Sequence, residues 1–145
     1  MFLIRKFRPS DFEKVIEIEE AVFNESNPLL FMMAYDSSSD GFLVAEKDGC
    51  TIGFIAGIIS ATDEVRILSL AVSTQYQSRG IATALLRKFI EIYRAKGILS
   101  IKLEVRVSNF RAQKLYISLG FNTVKIIPSY YTDGEDGFQM AKLLI

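Results

Sequence analysis

Gln77-Ser78-Arg79-Gly80-Ile81-Ala82-Thr83 is the stretch of the 145-residue sequence whose residue types and spacing point most directly to chemistry. It follows the apolar run Leu68-Ser69-Leu70-Ala71-Val72 and opens a segment with apolar residues at helical steps. A strand that turns straight into a helix presents unpaired N–H groups and the positive end of a dipole, which suits a diphosphate. Gly80 lets the backbone approach an anion with no side chain in the way, Ala82 and Thr83 keep the next turn small, and Arg79 adds charge. The strings G-x-x-x-x-G-K-(S/T) and G-x-G-x-x-G are absent, which argues against a triphosphate loop or a dinucleotide site. Taken alone, Q-x-x-G-x-A also describes any glycine-softened helix start. The buried strand before it and the amphipathic helix after it favour a phosphate cradle.

The sequence has no histidine and one cysteine, Cys50. Imidazole bases, histidine metal ligands, Ser–His and Cys–His nucleophile pairs and an internal disulfide are all excluded, and no metal site is expected. Cys50, beside a tight turn, reads as a bystander.

The elements that must position the cradle are legible around it. Phe2 to Phe7 reads as a strand, and Ser10-Asp11-Phe12-Glu13 matches a capping box opening a helix to about Phe23. Pro28 opens a short second helix over Leu29 to Tyr35. Phe42 to Lys47 and Thr51 to Ser60 flank Asp48-Gly49, a hairpin turn. Val65 to Val72 reads as a central strand covered on both faces. The helix after the cradle runs from Gly80 to Lys96 and stops at Gly97, with Ile81, Leu85, Phe89 and Tyr93 on one face. Leu99 to Val107 alternates, sending Lys102, Glu104 and Arg106 to one side. Asn109 caps a helix to Leu119, and Phe121 to Ile127 and Gly137 to Leu144 form a closing strand pair around a Pro128 to Asp136 loop.

Composition sets the remaining bounds. Half the residues are hydrophobic and 12% aromatic, so one well-filled core is expected, and residues 1–145 read as a single mixed α/β domain. Seventeen basic residues balance 17 acidic ones, leaving no overall field to attract nucleic acid or an anionic membrane. Neither a signal peptide nor an apolar run of spanning length is seen, and a reducing cytoplasm fits the lone cysteine.

Gln77, Gly80 and Ala82 match the motif (Q or R)-x-x-G-x-(G or A) of the GNAT superfamily of N-acetyltransferases, which the chain resembles along essentially its whole length. Leu103-Glu-Val-Arg106, Ser108-Asn109, Leu115-Tyr-Ile-Ser-Leu-Gly-Phe121 and Tyr130-Tyr131 before an acidic glycine loop are similar to the ribosomal-protein alanine N-acetyltransferases and the archaeal N-terminal acetyltransferases. The resemblance implies a mostly antiparallel sheet of about seven strands flanked by about four helices. It implies acetyl-CoA as co-substrate, with the backbone of Leu70, Ala71 and Val72 meeting the pantetheine arm. Gln77, Ser78, Arg79, Gly80, Ile81, Ala82 and Thr83 would lie along the pyrophosphate, and Asn109 further along the cofactor. Glu104 would be proton acceptor and Tyr116 proton donor, with a protein or peptide N-terminus as acceptor. From their place in a hairpin loop, Tyr130 and Tyr131 read either as gripping a peptide backbone or as packing on neighbouring strands. A monomer or weak homodimer is expected. From the residues alone, Glu104 also reads as paired with Lys102 or Arg106, Tyr116 as core packing, and Asn109 as a plain cap.

Direct acetyl transfer needs a neutral amine, a polarised thioester carbonyl and a stabilised thiolate. At pH 7 about one α-amine in ten is neutral, against about one lysine amine in 2,500. Without histidine, an N-terminus is therefore the easier acceptor, with a polyamine or aminoglycoside as the alternative. A non-catalytic coenzyme-A-binding module is the remaining alternative, and the joint presence of Glu104, Asn109 and Tyr116 speaks against it.

Overall fold

Asp48 and Gly49 both take positive φ, 51° and 79°, and close the hairpin between strands β2 (Phe42–Lys47) and β3 (Cys50–Ala61). In the computed structural model, which describes residues 1–145, these strands sit in one seven-stranded sheet. The other strands are β1 (Leu3–Lys6), β4 (Glu64–Val72), β5 (Ser100–Arg106), β6 (Asn122–Ile127) and β7 (Gly137–Leu143). Their order is β1-β2-β3-β4-β5-β7-β6, and every neighbouring pair is antiparallel except β4 with β5.

Four helices cover the sheet: α1 (Phe12–Phe23), α2 (Pro28–Ser37), α3 (Ile81–Ala95) and α4 (Phe110–Ser118). Helix α3 buries the face foreseen for it, with Ile81, Leu85, Leu86, Phe89 and Tyr93 in one cluster with Leu43, Ile55, Val65, Ile67, Leu103 and Val105. Tyr116 and Phe121 bring α4 and the chain after it onto the same side. Val15, Ile18, Phe31 and Ala34 carry α1 and α2 onto the opposite face, against Phe42, Val44, Phe54 and Ala71. Burying such side chains at ~25 cal/mol per Å² is the main stabilising contribution. Gly57 is a packing necessity, because a Cβ there would lie 2.6 Å from the Phe89 ring and 3.0 Å from the Arg66 carbonyl.

Two expectations change. Helix α1 is not opened by a Ser10–Glu13 capping box: a 3-10 turn over Pro9–Asp11 leads into it, and no side chain caps its start. The Asp11 carboxylate instead accepts from the Arg8 amide at 2.8 Å, from both terminal guanidinium nitrogens of Arg5 at 2.8 Å and from the Thr51 hydroxyl at 3.0 Å. A guanidinium fork outcompetes a neutral serine for the geometry of this corner. The second change is β4, which is not covered along its whole length: Leu68, Ser69 and Leu70 are half-buried because the sheet opens beside them.

The Asp11 knot ties β1 and β3 to the start of α1 and so fixes where α1 lies over the sheet. Burial pushes the Asp11 carboxyl up, but Arg5, the Arg8 amide and Thr51 pull it below its ordinary value, and they prevail. A depressed folded-state pKa contributes stability that is present at neutral pH and lost as the pH falls through it. Asp11→Ala leaves Arg5 without this buried partner, with an expected loss of about 3 kcal/mol in urea unfolding at pH 7. The gap between variant and wild type should narrow below about pH 4; a constant gap down to pH 3 rejects this assignment.

Candidate active site

Parallel pairing between β4 and β5 lasts for Glu64↔Ser100, Val65↔Ile101 and Arg66↔Lys102 and then stops, although both strands continue. The divergence begins at a β-bulge: Gly57 pairs with Ile67 and Ala56 with Ser69, leaving Leu68 as the extra residue on β4. A bulge bends its strand and breaks the alternation of side chains. Here Ile67 joins the cluster under α3, while Ser69 is turned onto the α1 face, where its hydroxyl donates to Glu19 at 3.1 Å. Between the separated strands lies a cleft of about 810 Å³.

One end of the cleft is built for an anion. The chain leaves β4 through a 3-10 turn, Thr74–Tyr76, and Gln77 fixes the exit by donating from its amide to the Val72 carbonyl at 3.0 Å. Ser78 and Gly80 then take positive φ, 64° and 81°. For serine this is an unusual conformation, of the kind that concentrates at binding sites. Tyr76 donates to Ser73 and Ala84 to Gly80, but the amides from Ser78 to Thr83 have no partner within the protein. The space where a Gly80 side chain would stand is open to 4 Å. Bare amides with an open approach fit a diphosphate.

A cation completes this end, and the sequence reading missed it. Arg111 donates to Gln77 Oε1 at 2.8 Å and to Ser78 Oγ at 2.7 Å, and it pairs with no carboxylate. It stands in the first turn of α4, where the helix dipole disfavours a positive charge. That mismatch was the signal in the sequence. Arg79, by contrast, lies outside the cleft wall with its guanidinium 5.5 Å from the Tyr76 ring. Asn109 caps α4 by accepting from the Ala112 amide at 3.1 Å and also lines the cleft.

Leu70, Ala71 and Val72 form one wall of the middle of the cleft, and Glu104 and Tyr116 reach it from β5 and α4. Tyr116 is packed edge-on to Phe121 at 5.6 Å, yet its hydroxyl has no protein partner and is not sealed off. Burial, and secondarily Tyr131, raise its pKa well above the ordinary phenol value, so the hydroxyl keeps its proton at neutral pH. Glu104 has a partner other than those read from its own strand. Lys102 pairs with Glu64 at 2.8 Å and Arg106 with Asp133 and Glu135, whereas Glu104 is joined to Arg66 of β4. Glu104 also accepts from Gln139 at 3.1 Å and from the Tyr130 hydroxyl at 3.4 Å. The ion pair sits where the strands part, on the face opposite α3.

The loop between β6 and β7 closes this side. Tyr130 and Tyr131 meet edge to face at 5.0 Å, and Tyr131 lies under the Arg106 guanidinium at 4.1 Å. Burial and Tyr130 push the Tyr131 phenol up to about 12, and burial followed by Glu104 raises Tyr130. Tyr131 lines the cleft; Tyr130 stands behind it, touching Glu104. Two further carboxylates on the α1 side, Glu19 and Glu25, also line the cleft and were not singled out from the sequence.

A sheet forked beside a bare-amide turn, with a free phenol between, defines an acetyl-CoA-dependent N-acetyltransferase. The chain belongs to the Acetyltransferase (GNAT) family, whose profile matches residues 6–121. It is 35% identical over 156 residues to an N-alpha-acetyltransferase of Sulfurisphaera tokodaii, covering 97% of this chain and 92% of that protein. Its fold matches the crystal structure of Ard1 from Thermoplasma volcanium at a TM-score of 0.95 with 30% identity, over 99% of this chain and 98% of that one. The ribosomal-protein-S18-alanine N-acetyltransferase from Escherichia coli matches at 0.87 with 29% identity, over 99% and 94%.

Arg106 holds the aromatic loop by stacking on Tyr131 and by hydrogen bonds of 2.8 Å to Glu135 and 2.9 Å to Asp133. In Arg106→Ala the Tyr131 and Gly134 amides should exchange with deuterium about 10-fold faster or more. Unchanged exchange shows that the loop is held by its own turns instead.

Proposed function

We propose that the enzyme transfers the acetyl group of acetyl-CoA directly to the α-amine of a protein N-terminus, in the cytoplasm, with no acetyl-enzyme intermediate. The observation that carries this is the fork itself, with unpaired amides at one end, Tyr116 in the middle, and a tyrosine-lined acidic opening at the other. The residues present fit acetyl-CoA, which supplies the activated acyl group. The amides of Ser78 to Thr83 with Arg111 hold its diphosphate. The β4 edge from Leu70 to Val72, unpaired on its β5 side, offers backbone groups to the pantetheine arm. Asn109 keeps its cap while presenting its amide nitrogen to the cofactor.

Tyr116 donates to the departing thiolate, stabilising charge as it develops. Glu104 takes the amine's proton through water, because Arg66, Gln139 and Tyr130 already occupy its oxygens. An α-amine suits so modest a base, since a fraction of it is neutral before any help arrives. Tyr131, half-buried in the cleft wall, supplies a flat surface of the kind that holds an extended peptide, and the exposed Tyr130 braces it edge to face. The relative from Sulfurisphaera tokodaii, an N-alpha-acetyltransferase, supports the same acceptor.

A polyamine is the second reading, favoured by Glu19 and Glu25 on the acceptor side. Thiol release from acetyl-CoA with short peptides beginning in Ala, Ser or Met, compared with spermidine, separates the two. Release with spermidine and with none of the peptides removes the N-terminal assignment. Tyr116→Phe should lower kcat about 100-fold while leaving acetyl-CoA affinity by calorimetry unchanged. Wild-type turnover in that variant ends the donor role.

A further inference from the structure

Asp11 and Glu19 are the two buried carboxylates, and only Asp11 has a cation beside it. Asp11 and Glu46 share Arg5, Glu64 has Lys102, and Glu104 has Arg66. Glu19, on α1, is 7% exposed and lines the cleft with no cation in contact. Its partners are the Asn27 amide, at 3.0 Å to Oε1, and the Ser69 hydroxyl, at 3.1 Å to Oε2. A carboxylate accepts about four donors, so roughly half its capacity remains open.

An ionised group without a counter-charge is unfavourable in such a place. Burial raises the Glu19 pKa, the two hydrogen bonds oppose the rise, and nearby Glu25 adds to it. The bulge at Leu68 is what brings Ser69 round to hold this carboxylate at the opening of the fork. The position is thus arranged for a negative charge and lacks only the positive one.

We propose that Glu19 is the residue that receives the acceptor's ammonium group, selecting a positively charged amine and bringing its nitrogen to the fork before its proton is lost. This rests on the reading that the acceptor is an amine entering between β4 and β5. Glu19 acts in binding, leaving proton acceptance to Glu104 and water. Its selectivity is for charge, so an end that is already acetylated gains nothing from it.

The test compares wild type with Glu19→Gln, using a peptide substrate and its N-acetylated form as inhibitor. The variant should raise the peptide KM about 10-fold or more, as loss of one partner in a desolvated charge pair does. The acetyl-CoA Kd and the Ki of the uncharged acetylated peptide should stay within about twofold, and Tm should be equal or higher because an isolated buried charge is gone. An unchanged KM overturns the proposal. So does a parallel rise in KM and Ki with a lower Tm, which marks Glu19 as support for the chain around Asn27. Should the wild type use spermidine and no peptide, the N-terminal reading falls and Glu19 is judged by the spermidine KM in the same way. If Glu19→Gln does not fold, Glu19→Asp, which withdraws the charge by one carbon, must still raise the amine KM; wild-type KM there overturns the proposal.

Discussion

The structure depends on the ending of one hydrogen-bond ladder. Parallel strands β4 and β5 stay together through Arg66 and Lys102 and then diverge. Backbone groups left unpaired inside a sheet would be costly unless something else met them. The fork therefore amounts to a demand for a ligand with its own polar groups, and an extended chain with amide linkages answers it. The bulge at Leu68 starts the divergence, and the Arg66–Glu104 pair spans it at its narrowest point.

Polarity is graded along the opening. At one end, unpaired amides and Arg111 give a positive field with no carboxylate partner. At the other, Glu19 and Glu25 give a negative one. On the proposed function, an anionic donor and a cationic acceptor enter by opposite mouths and their reactive ends meet near Tyr116. With no histidine in the chain, a buried phenol and a carboxylate bound to Arg66 are the titratable groups at the centre of the cleft.

Much of this was readable from the chain. Turn chemistry located the Asp48-Gly49 hairpin, four-residue spacing located α3, and the strand–turn–helix order located the bare amides. Those features depend on neighbours in sequence. The Ser10–Glu13 cap was misread because Arg5 and Thr51, distant or on another strand, decide where Asp11 points. Glu104 was matched with Lys102 or Arg106 because alternation shows which residues share a strand face but not which strand lies alongside. Its true partner, Arg66, follows from a parallel crossover whose register no local pattern records. Glu19 was hidden by its helix, in which it looks like one more acid among Glu17 and Glu20.

The brevity of the shared ladder has a mechanical consequence. With three residue pairs joining the two halves of the sheet, the β5-β7-β6 half is held to the β1-to-β4 half chiefly by the apolar layer under α3, where Ile101, Leu103 and Val105 pack with Val65 and Ile67. The width of the opening is thereby set by side-chain volume in that layer rather than by a hydrogen-bond register.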